Sequence, residues 1–198
     1  MCPHPAEVPI LIAFYKPYGV LSQFTRETGK RSLADFGPFP NDVYPVGRLD
    51  ADCEGLLLLT NDNDLKTRLT DPKYGHTRTY LVQVEHIPDE QALSTLKEGV
   101  MIKGKKTLPA NVRLLNEEPD LPDRSVPIRY RKNIPTAWIE MTLQEGRNRQ
   151  VRHMTAAIGH PTLRLVRIRI GGLGMEGMNP GQSRRLTGEE RRLLEEFP

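Results

Sequence analysis

Residues 54–60, Glu-Gly-Leu-Leu-Leu-Leu-Thr, constrain the fold more than any other stretch of this chain. Consecutive leucines follow neither the two-residue alternation of a half-exposed strand nor the spacing of an amphipathic helix. The run is also far too short to span a bilayer. It is short enough to be a strand buried on both faces. Just upstream, "VYPVGRLDADCEG" sets Asp50, Asp52 and Glu54 at alternate positions. Acids are poor strand formers and costly beside a core. Either they solvate a turn, or one of them has a chemical task.

At 198 residues the chain can bury a sizeable core as one large domain or as one domain with two lobes. With 37% apolar and 27% charged residues it reads as globular rather than disordered. The start, "MCPHPAEVP", lacks the basic and apolar regions of a secretory signal, and no run is long enough for a membrane helix. Two cysteines, Cys2 and Cys53, make no disulfide framework, and the expected setting is a reducing cytoplasm.

A metal is not expected. Asp50, Asp52, Glu54 and Gly55 imitate the first half of a calcium loop, but Asn61 stands where a bidentate glutamate is needed and leucines fill the middle. Cys2 and His4 have no second ligand pair for zinc. "GGLGMEG" lacks both the dinucleotide spacing and a phosphate-loop lysine, so no nucleotide cofactor is expected either.

Along the chain, Ile10 to Phe14 reads as a strand running into a Pro-Gly turn, and "SLADF" as a short helix. "NDNDLKTRLT" offers caps to a helix, and "RTYLVQVE" alternates, with Arg78, Tyr80, Val82 and Val84 on one face. "PDEQALSTLKEG" is a helix ending at Gly99. Strands are expected at 107–115, 126–131 and 137–143, around the proline-rich excursion "NEEPDLPDRSVP". Val151, Met154 and Ile158 keep helical spacing, and Thr187 with Glu190 forms a capping box for a last helix. In "LRLVRIRI" the alternation of apolar residues slips between Leu165 and Val166. A bulge there would put Arg164, Arg167 and Arg169 on one face. Strands with interspersed helices and no regular βαβ alternation predict an α+β fold with a mixed sheet.

Net charge is only +3, yet from Arg147 to Met175 the acids vanish while Arg147, Arg149, Arg152, Arg164, Arg167 and Arg169 accumulate. A one-sign patch of guanidinium groups suits a polyanion such as nucleic acid, because the planar fork matches phosphate oxygens. The competing reading is a solvated helix face and a charged edge strand. By pattern alone, Asp50 is either a turn residue or a catalytic acid; Gly47 beside it frees the backbone for a close approach.

"GRLDADCEGLLLLTND" resembles the G-R-L-D motif of the RNA pseudouridine synthases, in the branch that modifies ribosomal RNA. "FYKPYGVLSQF", "RTYLVQV" and "EGRNRQVRHMTAAIGHPTLRLVRIRIG" resemble further motifs of that family, in the same order. The resemblance extends from about Ile10 to Thr187 and implies a mainly antiparallel sheet with a central RNA-binding cleft. It also implies a catalytic domain at 10–198 after a short tail at 1–9, without an S4-type module.

Carried over by motif, Asp50 matches the catalytic aspartate. Arg152 matches an arginine that pairs with it, Tyr80 an aromatic that stacks on the flipped base, and Leu165 an apolar residue of the pocket, with Val166 as its rival. Arg48, beside Asp50, is expected to brace the target nucleotide, and from the patch Arg147, Arg149, Arg164, Arg167 and Arg169 are expected on the RNA backbone. Asp52, Cys53 and Glu54 read as turn residues, and His153 departs from the second arginine that relatives often have. The implied reaction turns uridine into pseudouridine in 23S ribosomal RNA, by a cytoplasmic monomer with no cofactor and no metal. Two other readings use the same residues: a ribosome-assembly protein that binds RNA without catalysis, and a glycoside hydrolase pairing Asp50 with Asp52 or Glu54.

Overall fold

The computed structural model describes residues 9–128 and 133–195. The first strand, β1 (Leu11–Lys16), is buried at every position and runs into the Pro17-Tyr18-Gly19 turn. Short strands β2 (Val20–Leu21), β3 (Arg31–Ser32) and β4 (Tyr44–Pro45) follow, with a single 3₁₀ turn at Leu33–Asp35 on the "SLADF" segment. The leucine run becomes β5 (Glu54–Thr60), also buried throughout. Helix α1 (Asn63–Thr70) starts at Asp62, whose carboxylate accepts from the Leu65 amide at 2.9 Å. Strand β6 (Arg78–Glu85) leads to α2 (Glu90–Glu98), capped by Asp89 and ended at Gly99.

The second half contains β7 (Met101–Ile102) and β8 (Lys105–Lys106), which form a hairpin, then β9 (Asn111–Leu114) and β10 (Thr136–Leu143). Helix α3 (Gln150–Ala157), β11 (Thr162–Ile170), β12 (Leu173–Gly174) and β13 (Ser183–Arg185) precede α4 (Gly188–Glu195). The predicted capping box forms: the Thr187 amide donates to Glu190 at 2.9 Å, and the Glu190 amide donates to the Thr187 hydroxyl at 3.3 Å.

Nine strands make one sheet with the main order β13-β1-β5-β11-β6-β10-β9, with β12 on β11 and β4 on β5. Every pairing in it is antiparallel except β5 with β11, so the sheet is mixed and mainly antiparallel, and the fold is α+β. The strand expected at 107–115 shrinks to Asn111–Leu114, because Thr107 closes the hairpin instead. Its amide donates to the Val100 carbonyl, and its hydroxyl accepts from the Val100 amide, each at 2.9 Å. Of the strand expected at 126–131, residues 126–128 are irregular and 129–131 lie outside the described residues.

The sheet is covered on both sides, as the leucine run requires. Leu57 and Leu59 of β5 join Ile12, Phe14, Val82, Ile139 and Met141 in a core closed by Leu96 of α2 and by Val151 and Met154 of α3. Leu56 and Leu58 point the other way, to Tyr15, Val166 and Ile170 under Leu65 and Leu69 of α1 and Leu194 of α4.

The same two-sided burial explains β11. Leu165 belongs to the first core and Val166 to the second, so plain alternation continues through both and no bulge separates them. Register shifts fall instead between Thr162 and Arg164 and between Arg167 and Arg169. Arg164 therefore lies on the face opposite to Arg167, and the expected one-sided row of Arg164, Arg167 and Arg169 does not form.

Lys16 is fully buried at the end of β1, with Nζ donating to the carbonyls of Pro17 at 3.0 Å and Val20 at 2.8 Å. Burial pulls its pKa down to about 8, against the opposing pull of Cys53, Glu54, Asp52 and Asp50. The unfolded chain then holds a proton that the native state releases, so Lys16 makes stability rise with pH above about 8. Burial pushes Cys53 up to about 11 and Tyr15 up to about 12, and these groups act in the opposite sense above pH 9 and pH 10. Urea unfolding is expected to show a gain between pH 8 and 9 of up to about 1 kcal/mol, levelling off and then reversing at higher pH. A flat or falling profile between pH 8 and 9 would contradict this account of Lys16.

Candidate active site

Strands β5 and β11 share only two residue pairs, Val166 with Glu54 and Arg167 with Gly55. Gly55 has φ +103, and a Cβ there would stand 2.2 Å from the Arg167 carbonyl oxygen, so only glycine lets the strands meet. Beyond that junction the strands part. The Leu56 carbonyl of β5 accepts instead from Arg167 Nε at 2.8 Å.

Over this split lies a cleft of about 610 Å³, walled by residues 46–51, Leu69, Thr70, Arg78, Tyr80, residues 145–151, Leu165 and Arg167. Its volume is that of a site for one small organic group such as a nucleoside.

The acidic stretch divides three ways. A turn closed by the Cys53 amide on the Asp50 carbonyl at 3.0 Å breaks the alternation. Asp50 faces the cleft with its side chain 42% exposed, and its nearest cation is Arg149, Nη1 to Oδ2, at 3.7 Å. Asp52 turns away into a clamp. It accepts two bonds from Arg149 at 2.9 Å each and lies 3.2 Å from Arg152 Nε. Burial raises the Asp52 pKa, but the Arg149 bond and the charges of Arg152 and Arg149 outweigh it and hold the carboxyl below its usual range. Glu54 is buried on the opposite side of the sheet, with both oxygens on Arg164 at 2.9 and 3.0 Å.

Arg152 thus pairs with Asp52, not with Asp50 as the motif suggests. Its Nη2 also donates to the Asp52 carbonyl at 2.7 Å and its Nη1 to the Thr162 carbonyl at 3.2 Å. It does not line the cleft. What it does is fix the turn that presents Asp50. Arg149 helps, holding a left-handed backbone (φ 51) at the start of α3, which a residue with a Cβ adopts at a cost. The Asp52 clamp offsets that cost.

The other expected residues divide between the cleft and the interior. Tyr80 and Leu165 line the cleft, whereas Val166 lies beneath the sheet, so the rivalry between Leu165 and Val166 resolves to Leu165. Arg48 is exposed at the cleft wall. Among the arginines expected on the RNA backbone, Arg164 is 7% exposed and committed to Glu54, and donates also to the Pro122 carbonyl at 2.7 Å. It is a structural residue. Arg147 donates to Glu145 at 2.9 Å and to the Lys105 and Lys106 carbonyls, and Arg169 pairs with Glu176 at 2.9 Å.

Arg167 is different. It faces the cleft, opposite Tyr80 in register, only 4% exposed and with Nη2 lacking any hydrogen-bond partner. Nearby Arg78 donates to the Leu69 carbonyl at 2.8 Å; burial first, and then the Arg167 charge, lower its pKa. Among the described residues neither arginine has a carboxylate partner, so the cleft wall carries two positive charges that no acid neutralises. The place of Arg78 in this pair was not foreseen, although it shares the alternating face with Tyr80. Glu145, the other carboxylate lining the cleft, is spent: it accepts from Leu108, Gln150 and Arg147.

A mixed sheet split over such a cleft defines the pseudouridine synthase fold. A crystal structure of a pseudouridylate synthase superposes with TM-score 0.79 at 28% identity, covering 96% of this chain and 75% of that one. The chain belongs to the RNA pseudouridylate synthase family, whose model matches residues 10–157. It is 54% identical to the ribosomal large subunit pseudouridine synthase E of Xanthomonas campestris, over 88% of this chain and 94% of the relative. With the protein of the same name from Vibrio vulnificus it shares 50% identity, over 89% of this chain and 75% of that one.

Proposed function

We propose that the protein isomerises uridine to pseudouridine in large-subunit (23S) ribosomal RNA, with Asp50 as its catalytic carboxylate. The observation that carries the role of Asp50 is its isolation: it is the carboxylate in the cleft whose oxygens no arginine or amide saturates, while Asp52 and Glu54 are bound elsewhere. The named large-subunit synthases, similar over most of their length, support the substrate. The reaction breaks the bond from ribose to ring nitrogen, makes one to ring carbon, and exchanges a carbon-bound proton for a nitrogen-bound one, so it balances without an oxidant or a second substrate.

The uracil leaves the base stack and lies between Tyr80 and Leu165. Stacking on Tyr80 contributes about 1–3 kcal/mol. Arg48, at the cleft wall, braces the vacated position, and the buried charges of Arg167 and Arg78 make the cleft floor positive toward the RNA. Arg152 and Arg149 position the Asp50 turn. The proposed enzyme is a monomer that acts in the cytoplasm.

The carboxylate-pair hydrolase loses its second acid, since neither Asp52 nor Glu54 faces the cleft. Incubating the purified protein with unmodified 23S RNA and mapping pseudouridines is expected to show conversion at discrete positions, with RNA mass unchanged. Release of free uracil, or binding without conversion, would overturn the reading.

A further inference from the structure

We infer that the β7–β8 hairpin is an RNA-backbone contact at the rim of the cleft, made by Lys103, Lys105 and Lys106. The inference rests on the RNA-substrate reading and adds a surface which that reading does not contain. Residues 99–115 hold no acid, and their bases are these three lysines and Arg113. Arg113 is neutralised by Glu140, with bonds of 3.0 and 2.9 Å. The lysines are exposed, and among the described residues none has an ion pair or a side-chain hydrogen bond.

Two further observations separate this patch from an ordinary solvated loop. The first is its attachment. Arg147 and Glu145, both in the cleft wall, grip the hairpin's backbone: Arg147 donates to the Lys106 carbonyl at 2.8 Å and the Lys105 carbonyl at 3.3 Å, and Glu145 accepts from the Leu108 amide at 2.8 Å. The lysines therefore stand beside the place where the target strand must enter. The second is the turn itself. Lys103 and Gly104 both have positive φ, 48 and 77 degrees, as a two-residue hairpin turn requires. Asn-Gly is the inexpensive choice for such a turn, and lysine in that backbone state costs stability. A cation kept there at a cost indicates a task for the charge. Lysine is a flexible point charge, suited to following phosphates and not to reading base edges, so the contact adds affinity without sequence preference.

The test is a triple variant, Lys103→Asn, Lys105→Gln and Lys106→Gln, in which asparagine preserves the turn. RNA binding is measured against salt, and turnover under single-turnover conditions at saturating RNA. Each phosphate contact contributes about 0.7–0.9 to the slope of log K against log salt. The variant should thus lose about 2 to 3 from that slope, and between 50 and 200 mM salt its affinity should fall about 20–40-fold less than that of wild type. Saturated turnover should stay at the wild-type level and thermal stability should hold or rise slightly, since asparagine adopts the left-handed turn at less cost, and Lys105→Arg with Lys106→Arg should keep the wild-type slope. An unchanged slope in the triple variant, with wild-type turnover intact, would overturn the hairpin contact and leave the synthase reading standing. Failure of the wild-type protein to convert uridine would strike that reading instead. A variant slowed at saturation with unchanged affinity would also overturn the inference, because the lysines would then act on the reaction and not on binding.

Discussion

Asp50→Asn is expected to reduce pseudouridine formation by about 10⁴-fold or more while RNA binding stays at wild-type strength or tightens slightly. The amide is isosteric with the carboxylate but can neither attack carbon nor take up a proton. The turn should survive, because its closing bond uses the Asp50 backbone carbonyl and the Asp52 clamp is untouched. Removing a negative charge from a cleft that also holds Arg167 and Arg78 takes away repulsion toward phosphate, hence the sign expected for binding. Single-turnover assays beside an equilibrium binding titration read both effects. Turnover within about tenfold of wild type would strip Asp50 of its role.

The largest effect on stability should come from Glu54→Leu. Glu54 and Arg164 have side-chain exposures of only 3% and 9%. Deleting the acid leaves a guanidinium buried beneath the sheet with the Pro122 carbonyl as its remaining partner. Breaking a buried pair in this way costs about 3–5 kcal/mol. For a chain of this size that is a drop of about 6–20 °C in Tm. The double variant Glu54→Leu, Arg164→Met should regain most of the loss, since two apolar groups need no mutual compensation. Urea denaturation of the single and double variants measures the difference. A cost below about 1 kcal/mol for the single variant would show that water reaches Arg164.

Most of the scaffold could be read from local signals. The leucine run announced a strand buried on both faces and Asp62 and Thr187 announced helix starts, whereas the meeting of Asp50 and Tyr80 in one cleft was implied only by the family resemblance of the motifs that hold them. The errors share one physical origin: partner choice is a tertiary property. Asp50, Asp52 and Glu54 are equivalent in an extended chain, and a single turn bond sends them to a cleft, a clamp and a buried pair. Arg152 carries the right motif, yet in this structure its guanidinium lies on Asp52. In β11 the row of arginines suggested one exposed face because double-sided burial of Leu165 and Val166 imitates a bulge. The hairpin escaped notice because Lys-Gly is a poor turn signal beside Asn-Gly, and its strands have two residues each.

The Asp52 clamp has a consequence for how the protein is made. Its two arginines lie 97 and 100 positions downstream, Glu54 finds Arg164 after 110, and Leu56 finds Arg167 after 111. Contacts of such sequence separation form late, since the entropy of closing long loops must be met before they repay it. A nascent chain that has left the ribosome through β6 already contains Asp50, Tyr80 and the local bonds of the Asp50 turn, but lacks the two arginines of the Asp52 clamp. Synthesis through β11 completes the set. Completion of the clamp is thus tied to the last third of translation, and incomplete chains carry Asp50 without the arginines that brace its turn.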